Sequence, residues 1–461
     1  METTYNKGFV YFICLTSAMG GLLFGYDWVV IGGAKIFYEP YFGLVGRPAM
    51  QGLAMSIALA GCLVGALTAG WLADRLGRKP LLAASALMFA VTAYATGAAD
   101  TLGVFMAARL GGGVAIGMAS GLSPMYIAEV APTHIRGKLV SLNQLTIVVG
   151  ILAAQIVNWQ LASGGDDTWN VTMAWRWMFW AAAFPAAAFM VLVCLIPESP
   201  RWLAQRRGAE GRRRAAATLE HIGGAAYAEA ELRAAQEAAG AAADEAGLGA
   251  LLRGRRYRRV LLLGIVVAMF QQWCGTNVIF NYAQEVFQSA GYDVSGTFIN
   301  IVVTGIANLV FTLVAIYTVD RLGRRALMLM GAGGLGGIYL ILGAGYALHA
   351  EGVFMVVLVV LAIACYAMTL GPVTWVLIAE IFPQRVRGVA VATATFFLWV
   401  ASFLLTYTFP LLNHALGTAG TFWIYTAICA AGFVFFIRRL PETKGRSLEE
   451  LERELTGGDN K

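Results

Sequence analysis

The chain has 461 residues, of which 59% are hydrophobic and only 13% charged, with a mean hydropathy of +0.67. So apolar a chain of this length excludes an ordinary soluble protein and identifies an integral membrane protein, whose solvent is a lipid bilayer. The net charge of +6 follows from the uneven placing of Lys and Arg among the loops and calls for no nucleic-acid partner.

Apolar runs of about 20 residues, the length a helix needs to cross about 30 Å of hydrocarbon, recur along the chain. The first six lie near 8–33, 51–73, 81–99, 101–128, 138–162 and 174–196; six more lie near 258–287, 297–319, 326–348, 353–380, 389–413 and 419–438. The chain is therefore expected to be all-α with twelve spans. Of its 33 Lys and Arg, 29 fall in one set of loops and tails, while the other set keeps Lys35, Arg47 and Arg176. Both termini and the long central loop are accordingly expected on the cytoplasmic side. No removable signal peptide can be separated from the first run.

The first run contains "LLFGYDWVVIGG", with Asp27 in its middle. An ionised acid at the centre of a membrane helix costs about 2.5–3.5 kcal/mol even on insertion scales, so it is usually functional and usually partnered. Arg109, in the fourth run, is the one cation that falls within a span and is the expected partner. Protonating Asp27 would weaken that pair and change which packing of the bundle is favoured; a purely structural bridge is the alternative. The four histidines (134, 221, 349 and 414) fall in loops or at span ends, so no buried His competes for a proton role.

Three motifs then return in order. "GWLADRLGRK" (70–79) reappears as "VDRLGRR" (319–325), "AEVAPTHIRG" (128–137) as "AEIFPQRVRG" (379–388), and "PESPR" (197–201) as "PETKG" (441–445). The offsets of 246, 251 and 244 residues are nearly equal, which predicts two homologous six-span halves, residues 1–196 and 257–440. Between them, the Ala-, Glu- and Arg-rich segment 197–256 reads either as surface helices or as a solvated linker. The tail 441–461 holds a short helix pattern at 446–455, with Ser447 as a cap.

The remaining signals are polar residues inside the second half. The seventh span supplies Gln271, Gln272, Asn277 and Asn281, and a break near Gly275 would turn Gln272 and Asn277 to the same side. Gly371-Pro372 marks a second break, just before Trp375. Taken singly, each amide reads equally well as a helix-to-helix hydrogen bond. The six cysteines all fall inside spans without zinc or disulfide spacing, and no cofactor or metal pattern is present. No span combines a nucleophile with a base or metal ligands, so the chain is not expected to be an enzyme.

The ordered set of "GWLADRLGRK", "PESPRWL", "QQWCGTN", "GPVTWVLIAEIFP" and "PETKG" resembles the sugar porter family of the major facilitator superfamily over almost the whole chain. Within it, "FGYD" and "SPMYIAEVAPTHIRGKLVSLNQ" look most similar to the bacterial proton-coupled xylose symporters. The resemblance implies two pseudo-symmetric six-helix bundles in the plasma membrane, in bacteria the inner membrane, working as a monomer by alternating access. It implies symport of a monosaccharide, xylose or a hexose, with a proton. A facilitative uniporter of the same fold, or more remotely a non-transporting sugar receptor, is the alternative. A sugar needs amides for bidentate hydrogen bonds and aromatics for stacking, and the matching positions are Phe24, Gln144, Gln271, Gln272, Asn277, Asn281, Asn308, Gly371, Trp375 and Trp399. Asp27 and Arg109 take the proton-coupling role. A latch between the halves is implied for Asp74, Arg75, Arg78, Glu129, Arg136, Glu198 and Arg201 in the first half, and for Asp320, Arg321, Arg324, Glu380, Arg387 and Glu442 in the second. Asn281, Leu398 and Trp28 depart from the family pattern, which predicts a pocket that is smaller or less polar on one wall.

Overall fold

The computed structural model describes residues 5–132, 134–206, 208–242, 255–382 and 386–444. Among these every regular element is helical. The first half carries α1 (Lys7–Tyr41), α2 (Pro48–Leu76), α3 (Arg78–Gly97), α4 (Leu102–Val130), α5 (Arg136–Ser163) and α6 (Asp167–Leu195). The polar segment folds as α7 (Pro200–Arg206), α8 (Gly208–Gly223) and α9 (Ala225–Ala242). Then come α10 (Arg255–Trp273), the short α11 (Thr276–Asn281) and α12 (Ala283–Gln288), α13 (Val294–Leu322), α14 (Arg324–Ala347), α15 (Val353–Met368), α16 (Leu370–Ile381) and α17 (Arg387–Arg439).

Eleven described helices are long and apolar enough to span a membrane. The expected twelfth is present inside α17, whose 53 residues are interrupted at Gly417 by a non-helical φ of 70° and ψ of 173°. That break falls between the two apolar runs the sequence separates. Capping follows the local sequence elsewhere: the Thr101 hydroxyl accepts from the Val104 N–H at the start of α4, and the Asp293 carboxylate from the Gly296 N–H at the start of α13.

Two boundaries differ from the expected ones. The first helix runs to Tyr41, so Lys35 lies inside α1 and is buried, which makes Arg109 only one of the cations within a span. Similarly α6 begins at Asp167 and passes through a π-turn at Asn170–Ala174, placing the buried Arg176 on a helix. In both cases a polar helix end continues an apolar run, and hydropathy alone marks only the apolar part.

Contacts divide the chain into two compact units: Met1–Asp27 with Gly61–Gly150 and Phe179–Glu245, and Trp28–Ala60 with Ile151–Met178 and Ala246–Lys461. In the first, α2 and α4 cross backbone to backbone. A Cβ on Gly61 or Gly65 would strike the carbonyls of Leu110 or Val114, and one on Gly117 that of Cys62. Close approach through small residues substitutes for the hydrophobic driving force that lipid cannot supply. The segment α7–α9 packs on this unit: Trp202, Leu203 and Ala215 form a small core with Leu232, and the Trp202 indole donates to the Asp74 carbonyl at 2.9 Å. The Asn6 N–H donates to the Ile222 carbonyl at 2.9 Å. The polar segment is thus a packed set of helices over its described length.

In the second unit α14 and α10 pack along α17, and α13 along α15. Large apolar side chains such as Leu67, Tyr94, Phe184, Leu340 and Val353 stay exposed on the long helices of both units. Patches of that kind on long apolar helices suit a hydrocarbon environment.

Candidate functional site

Asp27 and Arg109 meet in the first unit. Both are buried, at 6% and 3% exposure, and the Arg109 Nη1–H donates to the Asp27 carboxylate at 2.5 Å. The guanidinium lies 5.3 Å from the Phe179 ring centre, while its Nε is buried without a hydrogen-bond partner. The bridge therefore uses one arm of a fork that is able to hold a carboxylate with two. Phe24 is half-buried three residues before the acid, and Gln144 is half-buried on α5 of the same unit.

The amides meet in the second unit. Gly275 adopts φ 90°, a left-handed conformation that favours glycine, and the Tyr425 ring occupies the space where a Cβ would stand. The chain breaks there and restarts as α11, which brings Asn277 back toward Gln272. Asn277 Nδ2 donates to Gln272 Oε1, Gln272 Nε2 to Gln271 Oε1 at 2.8 Å, and Gln271 Nε2 to the Tyr366 hydroxyl of α15 at 2.6 Å. This relay uses one donor of each amide and leaves the Asn277 carbonyl at one end and the Tyr366 O–H hydrogen at the other outside the chain. An acceptor and a donor held by neutral groups match the hydroxyl pairs of a sugar.

Not every expected contact joins the relay. The Asn281 amide turns to the Thr406 hydroxyl, at 3.5 Å, just before a second break at Tyr282 that the sequence does not announce. Asn308 is buried on α13. The second break in the tenth span lies at Thr369 (φ −123°, ψ −90°), two residues before the expected Gly371-Pro372, and Gly371 packs on the Tyr366 ring instead. Pro372 then sits in the first turn of α16, where its missing N–H breaks no helical hydrogen bond. Trp375 is exposed, whereas Trp399 is buried with its ring centre 6.2 Å from that of Trp28. Tyr366 is not among the residues to which the sequence points. Its position five residues before Gly371 gives no signal, and only the fold brings its hydroxyl to Gln271.

The repeated loops build the same turn twice. In the first unit Arg78 Nη2 meets Glu129 at 2.8 Å and Arg78 Nη1 meets Asp74 at 3.2 Å, while the Arg78 and Lys79 backbone N–H groups donate to Glu198. In the second, Arg324 Nη2 meets Glu380 at 3.1 Å, and the Arg324 and Arg325 N–H groups donate to Glu442. Gly77 (φ 103°) and Gly323 (φ 88°) precede the two arginines, and a Cβ on either would collide with the Glu198 or Glu442 carboxylate. Burial raises the Glu198 carboxyl above the usual range despite the N–H groups of Ser199, Lys79 and Arg78. For Glu442, burial also pushes upward, but the N–H groups of Lys444, Arg324, Arg325 and Thr443 outweigh it and hold the carboxyl below the usual range.

Other expected latch residues have different described surroundings. Arg75 is exposed and rests on the Trp71 ring at 4.0 Å, Arg201 reaches Glu231 at 3.8 Å, and the Arg321 carbonyl accepts from Lys444 Nζ at 2.6 Å. Arg136 is half-buried at the start of α5. The side chains of Asp320 and Arg387, and the helix pattern at 446–455, lie outside the described residues.

The chain matches the family described as "Sugar (and other) transporter" over residues 13–455. It is 35% identical to the arabinose-proton symporter of Bacillus subtilis, covering 98% of this chain and 96% of that one. It is also 35% identical to the D-xylose-proton symporter of Escherichia coli K12, over 98% and 97% of the two chains. Among solved structures, the inward open conformation of the xylose transporter XylE from E. coli is similar with a TM-score of 0.85 at 34% identity, covering 96% of this chain and 99% of that one. The chain belongs to the sugar transporter family and has the major facilitator fold.

Proposed function

We infer that the protein is a proton-coupled monosaccharide symporter. The observation that carries this reading is the buried Asp27–Arg109 pair, in the same chain as the Asn277–Gln272–Gln271–Tyr366 relay. A neutral relay recognises hydroxyls, while a buried acid that exchanges a proton for its partner's charge links proton binding to the packing of the span that carries it. Relatives named for arabinose, xylose and galactose symport with protons support the same reading. We assign sugar contact to Phe24, Gln144, Gln271, Gln272, Asn277, Asn281, Asn308, Gly371, Trp375 and Trp399. The two turns built on Arg78 and Arg324 belong to the conformational machinery and touch no sugar. The protein works as a monomer by alternating access between halves 1–196 and 257–440, with both termini in the cytoplasm and the turns on that side of a bacterial inner membrane.

The experiment is uptake of radiolabelled pentoses and hexoses into proteoliposomes, for wild type and Asp27→Asn, with and without an inward proton gradient, alongside equilibrium exchange. Wild type is expected to accumulate sugar only with the gradient, and Asp27→Asn to exchange without accumulating. Uptake by wild type that ignores the gradient would make the protein a facilitator and the Asp27–Arg109 bridge a structural one.

A further inference from the structure

Charged groups that the transport reading leaves unused meet where the C-terminal part of α1 packs on α12, within the second compact unit. Lys35 is 6% exposed, and its ammonium sits between two carboxylates. It forms a close ion pair with Glu285 of α12 and lies 3.3 Å from Glu39, one turn further along α1. Gln51 of α2 donates to the other Glu39 oxygen at 2.7 Å, and the Tyr282 ring centre is 5.3 Å from the ammonium. Glu285 Oε2 is buried without a hydrogen-bond partner. Two neutral contacts join the first span to the seventh in the same place, and a third carries it to the eighth. The Gln284 amide donates to the Gly33 carbonyl at 2.8 Å, Phe37 stacks on Phe298 of α13 at 6.2 Å, and a Cβ on Gly32 would crowd the Asn281 carbonyl.

The charges make this contact unlike its neutral neighbours. Glu39 shares a helix with Lys35 and cannot tie it to anything else, so the Lys35–Glu285 pair is the charged bridge between the first span and the broken seventh. One ammonium faces two carboxylates, which leaves an excess negative charge in a buried place. The cluster is therefore stable when closed around Lys35 or when opened to water, and costly in between, because a half-separated buried pair has lost its partner without gaining solvent. An element with two stable arrangements and a poor intermediate is a switch.

We propose that Lys35 and Glu285 form an outer ion latch, which holds the first span against the seventh and releases when the site opens on that side. The proposal rests on the alternating-access reading and assigns it two residues outside the sugar, proton and cytoplasmic groups. Loss of Lys35 leaves Glu39 and Glu285 to repel each other and drives the seam open. Loss of the Glu285 charge removes the bridge but leaves Lys35 satisfied by Glu39, a weaker effect of the same sign. Loss of the Glu39 charge leaves a neutral one-to-one pair and keeps the seam closed.

The test is a pulsed electron-paramagnetic distance measurement on the full chain in proteoliposomes. Spin labels are placed at the exposed positions Val45 and Ser295, with the exposed native thiol removed by Cys194→Ser. Lys35→Met is expected to raise the ratio of long to short distances about tenfold or more, with Glu285→Gln shifting it less and Glu39→Gln leaving it at the wild-type value. The exchange Lys35→Glu with Glu285→Lys, which again places one ammonium between two carboxylates, is expected to restore the short distance. The latch is overturned by wild-type distances in folded, monodisperse Lys35→Met and Glu285→Gln. It is equally overturned if Glu39→Gln opens the seam as readily as Lys35→Met. Should Lys35→Met fail to fold, Glu285→Gln and the charge exchange decide. Sugar uptake by wild type, measured separately, tests the symport reading itself, since the distances report the seam whether or not sugar moves.

Discussion

Asp27 and Arg109 stabilise each other's charge in a buried place. Removing one member of a buried pair costs about 3–5 kcal/mol, whereas replacing both by neutral groups is often close to neutral. Arg109→Leu is therefore expected to lower the melting temperature of the purified protein sharply, and the double variant Arg109→Leu with Asp27→Asn to recover most of the loss. A thermal melt of wild type, both single variants and the double variant in detergent reads this directly. An additive double variant would mean that the two charges are stabilised by other groups. This pair was legible in the sequence because a charge inside an apolar run has few possible partners. Lys35 was not, since it lies past the apolar part of α1, 250 positions from Glu285, and spacing says nothing about which helices meet.

At the scale of the element, the two Gly-Arg turns share one geometry and differ in electrostatics. Glu442 is held below its ordinary value of 4.5 in the fold, so its contribution to stability is present above that value and is lost as pH falls through the lower folded value. Glu198 is raised above 4.5, so its charge costs stability at neutral pH and that cost is relieved as pH falls through the raised value. Hydrogen–deuterium exchange, normalised for intrinsic rates, is expected to slow at Arg78 and Lys79 as the pH falls toward 4.5 from above. At Arg324 and Arg325 exchange is expected to accelerate only below 4.5. The same pH dependence in both turns would contradict the assignment. The turns themselves were readable from the repeated DRLGR sequence, because a positive φ at glycine leaves few alternatives. The break at Thr369 was not readable, because threonine gives no conformational signal and the Pro372 three residues later attracts the assignment to itself.

For the whole molecule, the proton gradient sets the ceiling on what symport achieves. One proton moving down about 100 mV releases about 2.3 kcal/mol, and one pH unit adds about 1.4. Together they limit one-to-one symport to about 500-fold accumulation. Accumulation in tight proteoliposomes is expected to approach but never pass that figure, and to fall to about 50-fold when only the voltage is applied. A plateau well above it would require a second proton per sugar. Twelve apolar runs, their charge bias and three repeated motifs made the fold class legible. They did not reveal the folding of α7–α9 against the first unit, because an Ala-rich polar helix carries too little apolar surface to announce a partner.

The doubled turn also bears on ancestry. Two copies of one structural solution, at offsets of 244 to 251 residues, are the mark of an internal duplication. The same offsets carry Asp27 onto the stretch Gln271–Val278, where the second copy is unwound and holds its amides. One register region thus differs between the copies: an acid on an unbroken helix in one, and an amide cluster at a glycine break in the other. A chain with identical copies could not hold an acid at one of these positions and amides at the other, so divergence of the copies is what lets the two chemistries coexist in one molecule.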